Sequence, residues 1–385
     1  MANSFHDLCN MAMVNNFLFC YFDDLPTEVM MEILKKVETE DLIRCREVGH
    51  TRLRKICKDK SLWKKIDFSE KFVTASYIKK FIYNGFAEYL NLAQSKIVGS
   101  FGSLPKLLEK CGSVKYLNLS KAIADEHELE KLISSCQNVE KLSLANLSLD
   151  PNQTSFRYPE LQVLDLGAFH GMNERFMRRL LFSEKLTEIS FRCTRNSSNT
   201  LMAYHSEVIK YLVEHLPVDV EKVSLSGIHC LTDEHIETLV SRCKKIKELE
   251  LCGCRSITVN SLTSIAKHLE QLVKLDVSMA GIYGPPQQLP LLGLEFFFDF
   301  QSKASLKVLN CQHPNRSPPE IEHLQQLMPQ VVINLDAFGG DLGIANPNKQ
   351  LSSQDRTRIQ TLSSNENFDP SQITTKPEFG LWEIK

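Results

Sequence analysis

A short motif, apolar-x-x-apolar-x-apolar, returns along most of the 385 residues and limits what the chain can fold into. Clear copies are VKYLNL from Val114, VEKLSL from Val139, LQVLDL from Leu161, LTEISF from Leu186, VEKVSL from Val220, IKELEL from Ile246, LVKLDV from Leu272 and LKVLNC from Leu306. Weaker copies, WKKIDF, AEYLNL and QVVINL, begin at Trp63, Ala87 and Gln330. From Trp63 onward the intervals are 24, 27, 25, 22, 25, 34, 26, 26, 34 and 24 residues. The motif alternates as a strand does. The segments between copies have helical spacing instead, as in Glu128, Leu129, Leu132 and Ile133, or His235, Ile236, Leu239 and Val240.

A strand and a helix every 25 residues or so cannot bury their own apolar face, so the units must stack on one another. This predicts an α/β fold in which residues 69–335 form about ten leucine-rich repeats, a right-handed solenoid or horseshoe with strands on the inner wall. Cys111, Cys136 and Cys243 each stand three residues before a strand motif, and Leu251-x-x-Cys254-x-x-Ile257-Thr258 follows another. These features resemble the cysteine-containing subtype of leucine-rich repeat, with the cysteines as small buried residues at corners. Polar positions between the strand apolars then face a ligand. They include Lys115, Tyr116, Asn118, Glu188, Ser190, Ser224 and Glu248, and the substrate-binding candidates are Lys222, Lys247, Glu250, Lys274 and Asp276. The two 34-residue units carry insertions, RCTRNSSNTLMAYHS and GIYGPPQQLPLLG, that map to loops.

Ahead of the array, residues 23–68 read as three short helices, with residues 1–22 as a separate N-terminal segment. Asp24 is a candidate cap, Pro26 suits a first helical turn, and Leu25, Val29, Ile33, Leu34 and Val37 recur on one face. A second helix begins at Thr39-Glu40-Asp41 with Leu42, Ile43, Cys45 and Val48 as its apolar set, and Gly49 is placed for a left-handed cap. A third runs through Leu53, Ile56 and Cys57. So small a bundle leaves apolar surface uncovered. Leu25-Pro26-x-Glu28-Val29-x-x-x-Ile33-Leu34, Asp41-Leu42, Val48 and Ser61-Leu62-Trp63 together resemble an F-box. One departure is that many members carry a Trp shortly after the equivalent of Val48, where the nearest apolar residue here is Leu53.

The resemblance implies binding to a Skp1-type adaptor through Leu25, Pro26, Glu28, Val29, Ile33, Leu34, Leu42, Val48 and Trp63. Through that adaptor it implies a cullin and RING ubiquitin ligase. It further implies a protein substrate, phosphorylated and connected with the cell cycle, with room for a small Cks-type accessory subunit. Competing classes are a repeat scaffold or inhibitor outside any ligase, and an enzyme. No G-x-S-x-G, Walker loop or HExxH supports the last, so no catalytic residue and no cofactor is expected.

With 45 basic and 47 acidic side chains the net charge of −2 gives no general reason to expect nucleic acid or membrane as a partner. Locally the window Arg44 to Lys71 holds ten Lys or Arg against Glu47, Asp59, Asp67 and Glu70, either a solvated face or a surface for an acidic partner. The twelve cysteines are scattered, and the apolar patch Phe17 to Phe22 lacks a basic flank, which points to a reduced compartment, nucleus and cytoplasm. Cys252-x-Cys254 has no second pair at ligand spacing, so no metal is expected. Residues 336–385 turn polar yet end in Phe379, Leu381, Trp382 and Ile384, so a tail returning along the concave face is expected, with Phe379 and Trp382 in the substrate site.

Overall fold

The computed structural model describes residues 24–82, 87–103, 111–150, 157–170, 172–193, 206–281, 297, 299–311 and 318–333. The chain divides into two compact units, residues 1–142 and 143–385. The first therefore joins the N-terminal helices to the early repeats.

In the first unit, helices α1 (Thr27–Leu34), α2 (Thr39–Glu47) and α3 (Thr51–Ile56) are followed by a 3-10 turn, Lys60–Trp63. Pro26 is the N-cap of α1 rather than a residue of its first turn, and no side chain caps it, so Asp24 does not have the expected role. Val48 ends α2 by turning extended (φ −59°, ψ 143°), and the helix closes without the left-handed glycine expected at Gly49. The His50 side chain accepts from the Leu53 amide to start α3, and Asp59 accepts from Ser61 to start the 3-10 turn. Helix α1 has two apolar sides where one was expected: Met30 and Leu34 point into the core while Val29 and Ile33 are exposed.

All eleven motif copies become strands that begin two residues after the copy's first residue. In the first unit β1 (Lys65–Asp67) pairs in parallel with β3 (Tyr89–Asn91), and β3 pairs with β5 (Tyr116–Asn118). A second, two-stranded sheet of β2 (Phe72–Thr74) and β4 (Lys96–Val98) was not anticipated. Strand β6 (Lys141–Ser143) spans the division. The second unit carries β7 (Val163–Asp165), β8 (Glu188–Ser190), β9 (Lys222–Ser224), β10 (Glu248–Glu250), β11 (Lys274–Asp276), β12 (Val308–Asn310) and β13 (Val332–Ile333), ordered along the sheet as along the chain. The middle residue of each three-residue strand in the long sheet, such as Leu117, Leu142, Val223, Leu249 or Leu275, is fully buried, and the residues on either side of it share the other face.

Helices return the chain between strands, and polar residues start them. Asp125 accepts from the Glu128 amide ahead of Glu126–Ser135, Asn173 from Phe176 ahead of Glu174–Leu180, and Thr258 from Asn260 ahead of Val259–His268. The Thr232 and His235 side chains cap each other's backbone at the head of Asp233–Arg242. Cys111, Cys136 and Cys243 are fully buried, as the corner reading requires.

The exit from each strand follows one rule. The last strand residue is Asp or Asn in several repeats, and its side chain accepts the amide two residues on: Ser69 to Asp67, Ala93 to Asn91, Ser120 to Asn118, Gly167 to Asp165 and Ser278 to Asp276. Three residues past the strand end the backbone goes left-handed, at Glu70, Gln94, Lys121, Asn146, Ala168, Gly227, Gly253 and Met279.

Gly227 (φ 78°) has a second constraint, because a Cβ there would run into the Cys193 carbonyl oxygen, whereas nothing lies near a Cβ built on Gly99 (φ 85°). A left-handed L-residue costs about 1–2 kcal/mol, and a clash with unyielding backbone adds about 1–3 kcal/mol. Gly227→Ala should therefore lower the thermal midpoint clearly more than Gly99→Ala in parallel melts. Equal shifts would remove the close-approach argument and leave only the dihedral one.

Candidate functional site

Two faces carry the candidate side chains expected from the sequence, one in each compact unit.

On the N-terminal helices, Pro26, Val29 and Ile33 fall at i, i+3 and i+7 and all three are exposed, Val29 at 43% and Ile33 at 36%, with Leu25 half-buried beside them. Glu28 is exposed and Val48 half-buried. The start of α1 is held by Arg52, whose guanidinium donates to the Leu25 carbonyl at 2.6 Å. Leu34, Leu42 and Trp63, expected on the adaptor surface, lie in the module's own core at 0%, 3% and 7% exposure. In this structure they support the exposed face from behind and offer almost no surface of their own. The reason is helical phase, since Leu34 lies one position past Ile33 and so points to the Met30 side. Leu53, at the apolar position nearest the absent Trp, is buried as well.

Trp63 serves as a joint. Its indole N–H donates to the Cys57 carbonyl at 2.8 Å, and its ring lies 5.2 Å from that of Phe81 on the first repeat's helix, Ala75–Ile82. Phe68 and Tyr77 complete the cluster at 5.7 and 5.4 Å from Phe81. The Thr39 hydroxyl accepts from the Asp67 amide, which ties α2 to β1. Within the basic window, Arg44 pairs with Asp41, Lys64 with Glu88 and Lys71 with Glu40, so acids outside the window neutralise part of it.

In the second unit the parallel register puts four of the five substrate-binding candidates, Lys222, Glu250, Lys274 and Asp276, on paired strands. Glu188, Lys222, Glu248 and Lys274 occupy successive rungs, and alternate in sign. Lys222 lies 3.8 Å from Glu188 and 3.2 Å from Glu248, and Lys274 lies 3.4 Å from Glu250. Opposite charges across a rung contribute roughly 0.2–1 kcal/mol each. Burial works against the charge on Lys222, but Glu248 and Glu188 outweigh it and its pKa ends above the ordinary lysine value. Lys247 stands one residue before its strand and pairs with Glu221 at 2.7 Å, in a separate row. Asp276 accepts from the Ser278 amide at 2.9 Å and from the Asn310 side chain at 3.3 Å. Phe379 and Trp382 lie outside the described residues.

The first unit has an equivalent row, Lys65, Tyr89, Tyr116 and Lys141, of which only Tyr116 was singled out from the sequence. Its signal was available, because these residues hold the same place in their motif copies as Lys222 and Lys274. Burial, and after it the Asp67 carboxylate, push the Tyr89 phenol up to about 12, so it stays a neutral hydroxyl. The Cys252-x-Cys254 pair is buried, which pushes the Cys254 thiol up to about 12 and Cys252 higher still, against the thiolate form a metal ligand needs. No cluster of His, Cys, Asp and Glu suited to a metal ion occurs among the described residues. No described helix is long and apolar enough to cross a membrane.

Residues 22–69 match the F-box-like family. The fold is similar to an internalin from Listeria monocytogenes at TM-score 0.39 and 12% identity, covering 70% of each chain. It is similar also to the leucine-rich repeat-containing protein LegL7 from Legionella pneumophila at TM-score 0.39 and 13% identity, covering 72% of this chain and 92% of that one. At that level of superposition neither likeness bears on function. The search of curated proteins gave no match. The chain thus carries an F-box-like domain followed by parallel-strand repeats, an α/β architecture.

Burial, opposed by amide and side-chain donors but reinforced by Glu250, raises the Asp276 pKa from 3.8 to about 6. The folded state then holds this proton more tightly than the unfolded state, so stability is greatest below pH 4 for this group and is lost as pH rises to about 6. At 1.36 kcal/mol per unit the effect is at most about 3 kcal/mol. Asp276→Asn should flatten that part of the stability profile between pH 4 and 6. An unchanged slope would show that Asp276 titrates normally.

Proposed function

We propose that this chain is the substrate-recognition subunit of an SCF-type (Skp1–cullin–F-box) ubiquitin ligase. The observation that carries the reading is the coincidence of the F-box-like match over residues 22–69 with an exposed apolar row, Pro26 at the cap of its first helix and Val29 and Ile33 on it. A row of that spacing is how a helix presents anchors to a partner groove. In this reading a Skp1-type adaptor covers the row and joins the chain to a cullin and RING ligase. The repeats capture a protein target for ubiquitination and degradation. The chain performs no bond chemistry itself and works in the nucleus and cytoplasm.

The finer reading rests on local motifs. VKYLNLSKAIADEHELEKLISSCQNVEKLSLANLSLD from Val114 to Asp150, PQVVIN from Pro329 and the ending LWEIK from Leu381 are similar to segments of S-phase kinase-associated protein 2. That similarity favours a phosphorylated cell-cycle regulator as target, with a Cks-type accessory subunit, and a C-terminal tail that docks on the strand face through Phe379 and Trp382.

Val29→Asp with Ile33→Asp tests the adaptor step. Both side chains are exposed, so the fold should persist, whereas truncating hot-spot anchors costs about 2 kcal/mol or more each. Co-purification with the adaptor should be lost with the melting curve unchanged. Retained capture at the wild-type level would sink the ligase reading and favour a repeat scaffold. Deleting Glu378 to Lys385 tests the tail: target binding should fall while adaptor binding persists, and an unchanged target would remove the tail from the site.

A further inference from the structure

The strand-face lysines differ between the two units. In the second unit Lys222 is bracketed by Glu188 and Glu248, and Lys274 pairs with Glu250. Their charge is used within the protein, and a ligand anion would have to displace carboxylates already in place. In the first unit Lys65 and Lys141 occupy the equivalent motif position, and neither has a carboxylate partner among the described residues. Each lies instead over a tyrosine ring: Lys65 Nζ is 5.4 Å from the Tyr89 centroid and Lys141 Nζ 5.5 Å from that of Tyr116. The two rings are 6.2 Å apart. A ring quadrupole holds an ammonium in position without cancelling its formal charge. The result is a cation, two phenols and a cation in one row, positioned and not neutralised.

The surrounding charges are already engaged. Asp67, two residues beyond Lys65 on the strand, accepts from Ser69 and from the Asn91 side chain, neutral donors that orient its carboxylate without cancelling its charge. In the row before the strands Lys64 pairs with Glu88 and Lys115 with Glu140, each at 2.8 Å.

We propose that the Lys65–Tyr89–Tyr116–Lys141 row binds an anionic peptide segment in extended conformation, one anion on each lysine and the phenols between them. Three rungs separate the lysines, about 14 Å at the usual strand spacing, which equals roughly four residues of extended chain. The ligand is therefore a segment with two anionic side chains about four residues apart. Phosphorylated hydroxyls and plain carboxylates share the chemistry the row reads. This deepens the receptor reading by moving the anion-binding cations from the second unit's strands to the first's.

The test uses the full chain with its adaptor and fluorescent peptides of Ser, Gly and Ala, read by anisotropy. One peptide carries two phosphothreonines four apart, one two glutamates four apart, one two adjacent glutamates and one two glutamines four apart. The anionic peptides of spacing four should bind at least tenfold more tightly than the glutamine peptide and more tightly than the adjacent pair, with affinity falling as salt rises. Lys65→Gln with Lys141→Gln should abolish the difference, Lys65→Arg with Lys141→Arg should keep it, and Lys244→Gln, exposed in the second unit, should change nothing. A phosphothreonine preference identifies phosphorylation as the source of the anion, and equal binding identifies an acidic segment. The proposal is overturned if the glutamine peptide binds as well as the anionic ones or if the double glutamine variant binds like wild type. Adaptor co-purification is read separately on the same variants, so failure of the row and failure of the ligase reading give different results.

Discussion

The structure depends on backbone hydrogen bonds that pass from each repeat to the next, because a three-residue strand has no partner within its own repeat. In the first unit the amides of Lys115 and Tyr116 both donate to the Glu88 carbonyl, Leu92 donates to Asn118 and Gln94 to Ser120. In the second, Leu225 donates to Glu250, Gly227 to Cys252, Leu251 to Asp276 and Gly253 to Ser278. Unmade bonds in a buried strand would each cost about 1–3 kcal/mol, so a repeat is stable only beside another. This fixes the strand exit. The left-handed residue turns the chain so that its own amide reaches the next repeat's carbonyl, which is why Glu70, Gln94 and Ala168 accept a dihedral that otherwise favours glycine.

Once the backbone is committed to this relay and the middle residue of each strand to the core, the two flanking positions remain for chemistry. Cross-strand neighbours at such positions lie close enough that like charges repel. At the first of these positions the rungs of β8 to β11 avoid this by alternating Glu and Lys, while at the second Glu250 lies across from Asp276 and adds to the rise in its pKa. The rungs of β1 to β5 avoid it by placing aromatic rings beside the lysine. Both arrangements satisfy the sheet, but they leave different amounts of charge for a partner. Strand-face composition thus separates positions that stabilise the array from positions able to recognise something else.

The repeat was legible because its signal is redundant: a buried apolar residue in the middle of every strand leaves a period that survives variable intervals, so even the degenerate copies at Trp63, Ala87 and Gln330 were placed correctly. The short β2–β4 sheet was not legible, since its residues, among them exposed Phe72, follow no repeating pattern. At the first helix the types of residue were right and their sides were mixed. Leu34 and Ile33 are adjacent apolar residues, and only the packing of Met30 decides which of them faces inward. Among strand-face residues the sequence marked lysines but not their charge state. Whether a lysine is free depends on which residue the register places across the rung, and variable repeat lengths hide that until the strands are paired.

The F-box-like segment and the first rung share residues, which bears on how the first unit transmits force and position. Trp63 opens the first strand motif and closes the helical module, its indole bonded to the Cys57 carbonyl on one side and its ring packed on Phe81 of the first repeat on the other. The Thr39 bond to Asp67 spans the same boundary. A linker here would let the helices reorient relative to the early repeats at little cost, since flexible connections resist only through entropy. A shared aromatic core must instead be broken to allow the same motion, and burial of aromatics of this size stabilises by several times thermal energy, at about 25 cal/mol per Å² over 150–250 Å² each. The exposed row of α1 and the lysine–tyrosine row therefore keep a fixed geometry within the first unit. A partner bound to α1 and a peptide bound at β1 to β6 would be held at a set separation without any further contact between them.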